Sequence, residues 1–304
     1  MRTVYIGTSE FAAVVLGRLA QSEHRPGLVV TRPERPRGRG RQISPTPVAD
    51  LANDLGIALI APESINDQEV FDQIQDFAPQ ALVLCAYGAV VAEPLLSTWP
   101  TFNVHPSLLP RWRGAAPIER ALMAGDQVTG VSIMRLAAEL DAGPVCLVAE
   151  QAITVEDTYG SLAQSLATLG AELLVRALDE QPSFVGQADL QATYAEKITA
   201  ADRTLDTSSS AAHAQRVVRA LTPHIGGRVP LADGSMLGVV SADLIVEDGG
   251  QERSYPLAGE LKEDSGRLLL GCTPGVLELR VVVPAGGRAM SGADFLRGHG
   301  LPTP

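Results

Sequence analysis

The chain has 304 residues, is 45% apolar and 19% charged, and carries a formal net charge of −11. This composition excludes a mainly disordered chain, and the length suits two domains better than one. The acidic balance argues against a broad nucleic-acid footprint, which would need positive charge.

In the first half, short apolar runs alternate with amphipathic stretches. Strands are expected at residues 4–6, 28–31, 57–60 and 81–85, with helices at 12–20, 47–55 and 70–77 between them. Continuous apolar strands separated by helices imply a mostly parallel, Rossmann-like α/β sheet covered on both faces. Ligands in such folds bind where the carboxyl ends of strands meet the following loops. Further strands are expected at 102–105, 131–136 and 145–149. A long helix fits 159–178, where Leu162, Leu166, Leu169, Leu173 and Leu174 recur at helical spacing. The first domain is therefore drawn as 1–183 and a connector as 184–205. A second domain over 206–304 opens with a helix at 211–220. Short strands follow at 226–231, 238–246, 259–261, 267–270 and 276–283, separated by Gly, Pro and Asp-Gly turns, which suggests a small β-barrel of OB type.

The longest apolar run, residues 81–92, falls short of the roughly 20 residues that span a bilayer, so no membrane segment is expected. The N-terminal stretch is broken by Glu10 and Arg18 and lacks a small-residue cleavage site, which favours a cytoplasmic location over secretion. Cys85, Cys146 and Cys272 are odd in number and far apart, so they are read as reduced and structural. The turn after the first strand, Gly7-Thr8-Ser9-Glu10-Phe11, holds one glycine and is no dinucleotide fingerprint. No GxxxxGK[ST] loop, HExxH or GxSxG occurs either, and no metal is expected.

One segment concentrates chemistry: Asn103-Val104-His105-Pro106-Ser107-Leu108-Leu109-Pro110-Arg111-Trp112-Arg113-Gly114. On a strand ending at His105, residues 103 and 105 point to the same face, so an amide and an imidazole stand side by side at the mouth of the sheet. Asp141 lies in a Gly/Pro-rich turn just before another strand. The set suits addition of a nucleophile to a carbonyl. Asn103 can donate to a developing oxyanion, His105 can stabilise that charge or move a proton, and Asp141 can fix the imidazole and relay protons. Taken singly, His105 also fits a hydrogen-bonded strand-end histidine and Asp141 a turn former. Elsewhere, residues 32–41 carry five arginines against one acid, a local charge of +4 that leaves −15 for the rest. That patch is either a solvated loop or a phosphate-binding one.

These motifs resemble the N10-formyltetrahydrofolate-dependent formyltransferases, in which the Asn, His and Asp of the matching motifs carry catalysis. Residues 111–118, the 32–48 loop, Tyr194-Ala195-Glu196-Lys197 and Pro284-Ala285-Gly286-Gly287-Arg288 extend the resemblance almost end to end. They point to the branch whose amine acceptor is methionyl initiator tRNA. The resemblance implies a Rossmann-like domain followed by a barrel-like one. It also implies 10-formyltetrahydrofolate as donor, and Asn103, His105 and Asp141 as catalytic residues. The folate would lie in a cleft bordered by Ala86, Tyr87, Gly88, Val90, Ser107, Leu108, Leu109 and Pro110. Arg35, Arg37, Arg39 and Arg41 would meet the tRNA. Sugar-nucleotide N-formyltransferases, glycinamide ribonucleotide transformylase and a silent scaffold are the alternatives; the arginine loop, the chain length and the intact trio weigh against them in turn. The chain departs from the family pattern at Asp206-Thr207 and Thr222-Pro223-His224, where tryptophans are expected. A monomer is expected.

Overall fold

The computed structural model describes residues 1–37, 42–245 and 255–301, with the backbone alone for 35–37, 42 and 43. In chain order the elements are β1 (Thr3–Gly7), α1 (Glu10–Ala20), β2 (Pro26–Val30), β3 (Arg35–Arg37), β4 (Gln42–Ser44), α2 (Pro47–Asp54), β5 (Ala58–Ile60) and α3 (Gln68–Phe77). They continue with β6 (Ala81–Cys85), α4 (Leu95–Thr98), β7 (Thr101–His105), β8 (Arg113–Gly114), α5 (Pro117–Ala124), β9 (Val128–Met134), β10 (Val145–Ala152), α6 (Tyr159–Glu180) and β11 (Tyr194–Ala195). The last are α7 (Ala211–Leu221), β12 (Gly227–Pro230), β13 (Met236–Leu244), β14 (Leu261–Asp264), β15 (Arg267–Gly271), β16 (Val276–Val283), β17 (Met290–Ser291) and α8 (Gly292–His299). Two compact units result. One comprises Met1–Pro117, Val128–Ala152 and Ala163–Ala195, the other Ile118–Gln127, Ile153–Leu162 and Glu196–Pro304.

The first unit is built on a seven-stranded sheet in the order β10-β9-β7-β6-β1-β2-β5. The run from β7 to β5 is parallel, while β9 and β10 pair antiparallel, so the sheet is mostly parallel with an antiparallel edge. β1 and β6 are buried at every position, as their unbroken apolar sequences require when helices cover both faces. On one face Val4, Ile6, Leu82 and Leu84 join Leu28, Val30, Ile65 and, from α3, Val70 and Ile74 in a single cluster. Burial of each such side chain contributes on the order of 2 kcal/mol.

Helix starts follow the sequence signals. Ser9 caps α1 by accepting from Ala12 N–H, and Thr46 caps α2 with Pro47 in the first turn. α6 approaches the strands at Gly170, where a Cβ would lie 2.8 Å from Val104 of β7 and 3.2 Å from Val131 of β9. The helix is thereby seated directly against the strand that ends in His105. Cys85, at the end of β6, is buried, and burial pushes its thiol up to about 12, so it is no nucleophile.

The second unit carries a six-stranded antiparallel sheet, β12-β13-β16-β15-β14 with β17 added beside β16. Register shifts flank Ser241 of β13, the local irregularity that bends a strand. α7, capped by Ser210, packs against β13 through an apolar stripe that includes Ala214, Val217, Val218 and Leu221. α8 begins at Gly292, where a Cβ would meet the Leu279 carbonyl at 2.2 Å, and lies on β15 and β16. His224, one of the departures from the family pattern, stacks on Tyr159 at 3.6 Å between ring centres, and its Nε2 bonds Glu119 Oε1 at 3.0 Å. Burial, reinforced by the Glu119 charge, pushes the Tyr159 phenol up to about 12. Among the described residues no helix is long and apolar enough to cross a membrane.

Arg120 of α5 donates to Asp202 Oδ1 at 2.6 Å and to the Glu196 carbonyl at 3.1 Å, tying this helix to the segment that leads into α7. The hydrogen bond from Arg120 holds the Asp202 carboxyl down to about 2, so the folded-state value is depressed and the stabilisation exists above the unfolded value near 4. It is lost as pH falls from about 4 through 2 and amounts to roughly 2 kcal/mol. Asp202→Asn should lower stability at pH 7 and flatten its pH dependence in that window, as read by urea unfolding across pH.

Candidate active site

β7 pairs with β6 on one side and β9 on the other, Asn103 lying opposite Leu84 and Met134, and His105 opposite Ser132. Asn103 and His105 share a strand face at its carboxyl end. Asn103 is half-buried and its carboxamide makes no hydrogen bond to the other described residues, while His105 is 5% exposed. His105 Nε2 lies 2.9 Å from the Trp112 carbonyl. A carbonyl only accepts, so Nε2 carries the proton and Nδ1 is the nitrogen left facing Asp141 Oδ2, 3.6 Å away. In a neutral ring this turns a lone pair toward a carboxylate.

Asp141 reaches the histidine from a loop, residues 135–144, that returns on itself. Arg135 N–H donates to Pro144 O at 3.0 Å, and a Cβ on Gly143 would lie 2.0 Å from the Arg135 carbonyl. Asp141 sits at φ +50, in the left-handed region, and its Oδ2 accepts from Gly114 N–H at 2.8 Å. Gly114 is held in turn by the pairing of β8 with β11. Its φ of +121 and the Ala195 carbonyl, 2.7 Å from where a Cβ would stand, require glycine. Six non-glycine residues among those described have positive φ. Three of them, Ala86, Trp112 and Asp141, belong to these strand-end loops, where such strain is kept when geometry matters more than local stability.

The flanking segments differ in what they offer a ligand. Ser107 is fully buried, its hydroxyl donating to Arg111 O at 2.6 Å, while Ser132 Oγ donates to Ser107 O and accepts from Leu109 N–H. Leu108, Leu109 and Pro110 are half-buried. Ala86, Tyr87 and Gly88 line a cavity of about 310 Å³ together with Thr8, Ser9, Arg32, Pro33 and Thr46. Burial pushes the Tyr87 phenol up, opposed by the nearby Arg32 charge. Val90 is 77% exposed, its carbonyl accepting from Asn66, and it does not line this cavity; nor do Ser107 to Pro110.

Sequence patterning missed Thr8, Ser9 and Thr46, although the turn after β1 was marked by its position at a strand end. Arg32 was counted only as charge. It donates to the Gly88 carbonyl at 3.0 Å and closes one wall of the cavity. Of the loop arginines, Arg35 and Arg37 lie on β3, which pairs antiparallel with β4, and Arg39 and Arg41 lie outside the described residues.

The formyl transferase family pattern matches residues 1–178, and the formyl transferase C-terminal domain pattern matches residues 197–300. A methionyl-tRNA formyltransferase of Methylococcus capsulatus is 40% identical over 308 residues, covering 99% of this chain and 98% of that one. The chain belongs to the methionyl-tRNA formyltransferase family. Among solved structures, HypX from Aquifex aeolicus in complex with tetrahydrofolic acid superposes with a TM-score of 0.67 at 14% identity, over 97% of this chain and 47% of that one. Methionyl-tRNA formyltransferase from Clostridium thermocellum superposes at 0.58 with 11% identity, over 82% and 95% of the two chains. Both likenesses bear on fold.

In this formyltransferase the Gly114 N–H is the direct support of the Asp141 carboxylate. Gly114→Ala should move that donor, lowering turnover by about tenfold or more while costing about 1–3 kcal/mol of stability from the strained φ. Steady-state kinetics beside thermal unfolding check both numbers.

Proposed function

We propose that the chain transfers the formyl group of 10-formyltetrahydrofolate to the α-amine of methionyl initiator tRNA, with Asn103, His105 and Asp141 carrying the chemistry. The observation that bears most weight is that Asp141, on its loop, lies 3.6 Å from His105, which shares a strand face with Asn103, in a member of this family.

The amine nitrogen attacks the formyl carbon, a C–N bond forms, and the carbonyl oxygen becomes an oxyanion. The Asn103 carboxamide, which has no hydrogen-bond partner among the described residues, is suited to donate to that oxygen, a contribution on the order of 3 kcal/mol for one donor. Because Nε2 is tied to Trp112 O, the working nitrogen of His105 is Nδ1, and its protonated form is a second donor. Asp141 stabilises that imidazolium and receives a proton from the new ammonium. As the bond from the formyl carbon to the folate N10 breaks, Asp141 passes that proton to N10, and the products are N-formylmethionyl-tRNA and tetrahydrofolate. An α-amine with a reference pKa near 8 is partly unprotonated at neutral pH, so positioning and charge stabilisation dominate.

The folate is assigned to the cleft beside Ala86, Tyr87 and Gly88, reaching past the cavity they line toward Val90 and the 107–110 segment, which do not line it. That HypX binds tetrahydrofolic acid in a similar fold supports the reading. The arginines at 35, 37, 39 and 41 are assigned to tRNA phosphates, supported by a +4 stretch in a chain of charge −11. We assign the reaction to the cytoplasm and to a single chain.

The test is incubation with 10-formyltetrahydrofolate and, in parallel, methionyl initiator tRNA, a charged elongator tRNA and an amino-sugar nucleotide. Formylation of the first is expected, and preferential formylation of the sugar would replace this reading with its sugar-nucleotide rival. His105→Asn should lower kcat by about 10²–10³-fold with folate affinity retained, and near-normal turnover would remove His105 from the mechanism. Arg35→Ala or Arg37→Ala should weaken tRNA binding and reduce its salt slope by about one unit, checked by affinity measurements across salt concentrations.

A further inference from the structure

Gln187 lies between α6 and β11, in a stretch whose sequence reads as a connector. Its side chain nonetheless bonds three backbone or side-chain groups of the site loops. Nε2 donates to the carbonyls of Asp141 at 2.8 Å and Gly143 at 2.7 Å, and Oε1 accepts from Arg113 Nε at 3.0 Å. The amide orientation is dictated by its surroundings, since a flipped amide would set its oxygen against two carbonyls and its NH₂ against a guanidinium. Arg113 is 2% exposed and is anchored further by Asp189, at 2.7 Å. Neighbouring residues brace the same loop. The Arg135 guanidinium lies 4.4 Å from the Phe184 ring centre, and Val185 and Val145 exchange two backbone hydrogen bonds of 2.9 Å.

Asp141 needs this support more than an ordinary loop residue would. Its positive φ is locally unfavourable, and its side-chain direction depends on how the peptide planes on either side are turned. Gln187 grips the Asp141 carbonyl itself and the Gly143 carbonyl two residues on. The Gly114 N–H meets the carboxylate from the other side. Gln187 touches neither His105 nor Asn103 by any hydrogen bond among the described residues.

We infer that Gln187 is a positioning residue for the formyl-transfer reaction: by fixing the peptides around Asp141 it sets the distance between that carboxylate and His105 Nδ1. This rests on the formyl-transfer reading above. Gln187→Glu keeps the volume and the acceptor for Arg113, removes both donors and sets a charged oxygen against the two carbonyls, so it breaks the hold on the loop.

With 10-formyltetrahydrofolate and methionyl initiator tRNA, Gln187→Glu is expected to lower kcat by about 10–100-fold while each KM stays within about twofold. In the Asp141→Asn background the same change should alter single-turnover rates by less than about twofold, because the group it positions is already gone. Full multiplication of the two losses, or an unchanged kcat in the single variant, overturns the inference. If Gln187→Glu does not fold, the cycle is run with Gln187→Ala. There, Gln187→Asn, which retains a donor on a shorter stem, should recover part of the rate, and no recovery counts against the inference. A wild-type chain that formylates no tRNA would remove the reading and the inference together. An active wild type with a normal Gln187→Glu variant removes the inference alone.

Discussion

The hydrogen bond from His105 Nε2 to the Trp112 carbonyl decides which ring nitrogen remains to work, and most of the first unit can be understood as what is needed to keep it. Trp112 must present its carbonyl inward, which it does from a left-handed backbone, while its own N–H is satisfied by Thr193 Oγ1 at 2.9 Å. The histidine must hold still beneath it. It stands at the end of a strand paired on both sides, with α6 pressed against the neighbouring Val104 at Gly170. With Nε2 committed, Nδ1 is the ring nitrogen that faces the Asp141 carboxylate, 3.6 Å away.

Rigidity at this point comes from segments that carry no reactive group. The stretch from Phe184 to Ala195 pairs with β10 at Val145, stacks on Arg135, bonds Asp141 and Gly143 through Gln187, and forms the parallel pair that fixes Gly114. Loops bearing left-handed residues would relax if left alone. Here each is tied to a neighbour by side-chain to main-chain bonds: Gln187 to Asp141 and Gly143, Thr193 to Trp112, and Thr8 to Tyr87.

The parallel core was legible because β1 and β6 are apolar at every position, which only a sheet covered on both faces tolerates. The pairing of Asn103 with His105 on one face followed from strand periodicity. The approach of Asp141 needed more than spacing, since it depends on a loop whose neck closes through Gly143 and on a two-residue strand, β8, too short to leave a pattern. The same holds for Gln187: a glutamine in a polar connector gives no periodic signal, and its role emerges only from the three groups around it. The helix over Pro117–Ala124 leaves little trace in the sequence, being eight residues long and opening on Pro117 after Gly114-Ala115-Ala116. Arg32 shows the opposite error. Counted as part of a charge run, it is committed to the Gly88 carbonyl and the cavity wall.

The pinch at Gly143 divides the loop that bears Asp141 into two regimes. At the neck, backbone meets backbone and no side chain can be admitted. At the tip, residues 137–140 stand open to solvent, with Leu140 64% exposed. Anchorage and exposure are thus separated along a few residues of one chain. A side chain exchanged at the crest would meet solvent, while the carboxylate below stays held by the Gly114 N–H.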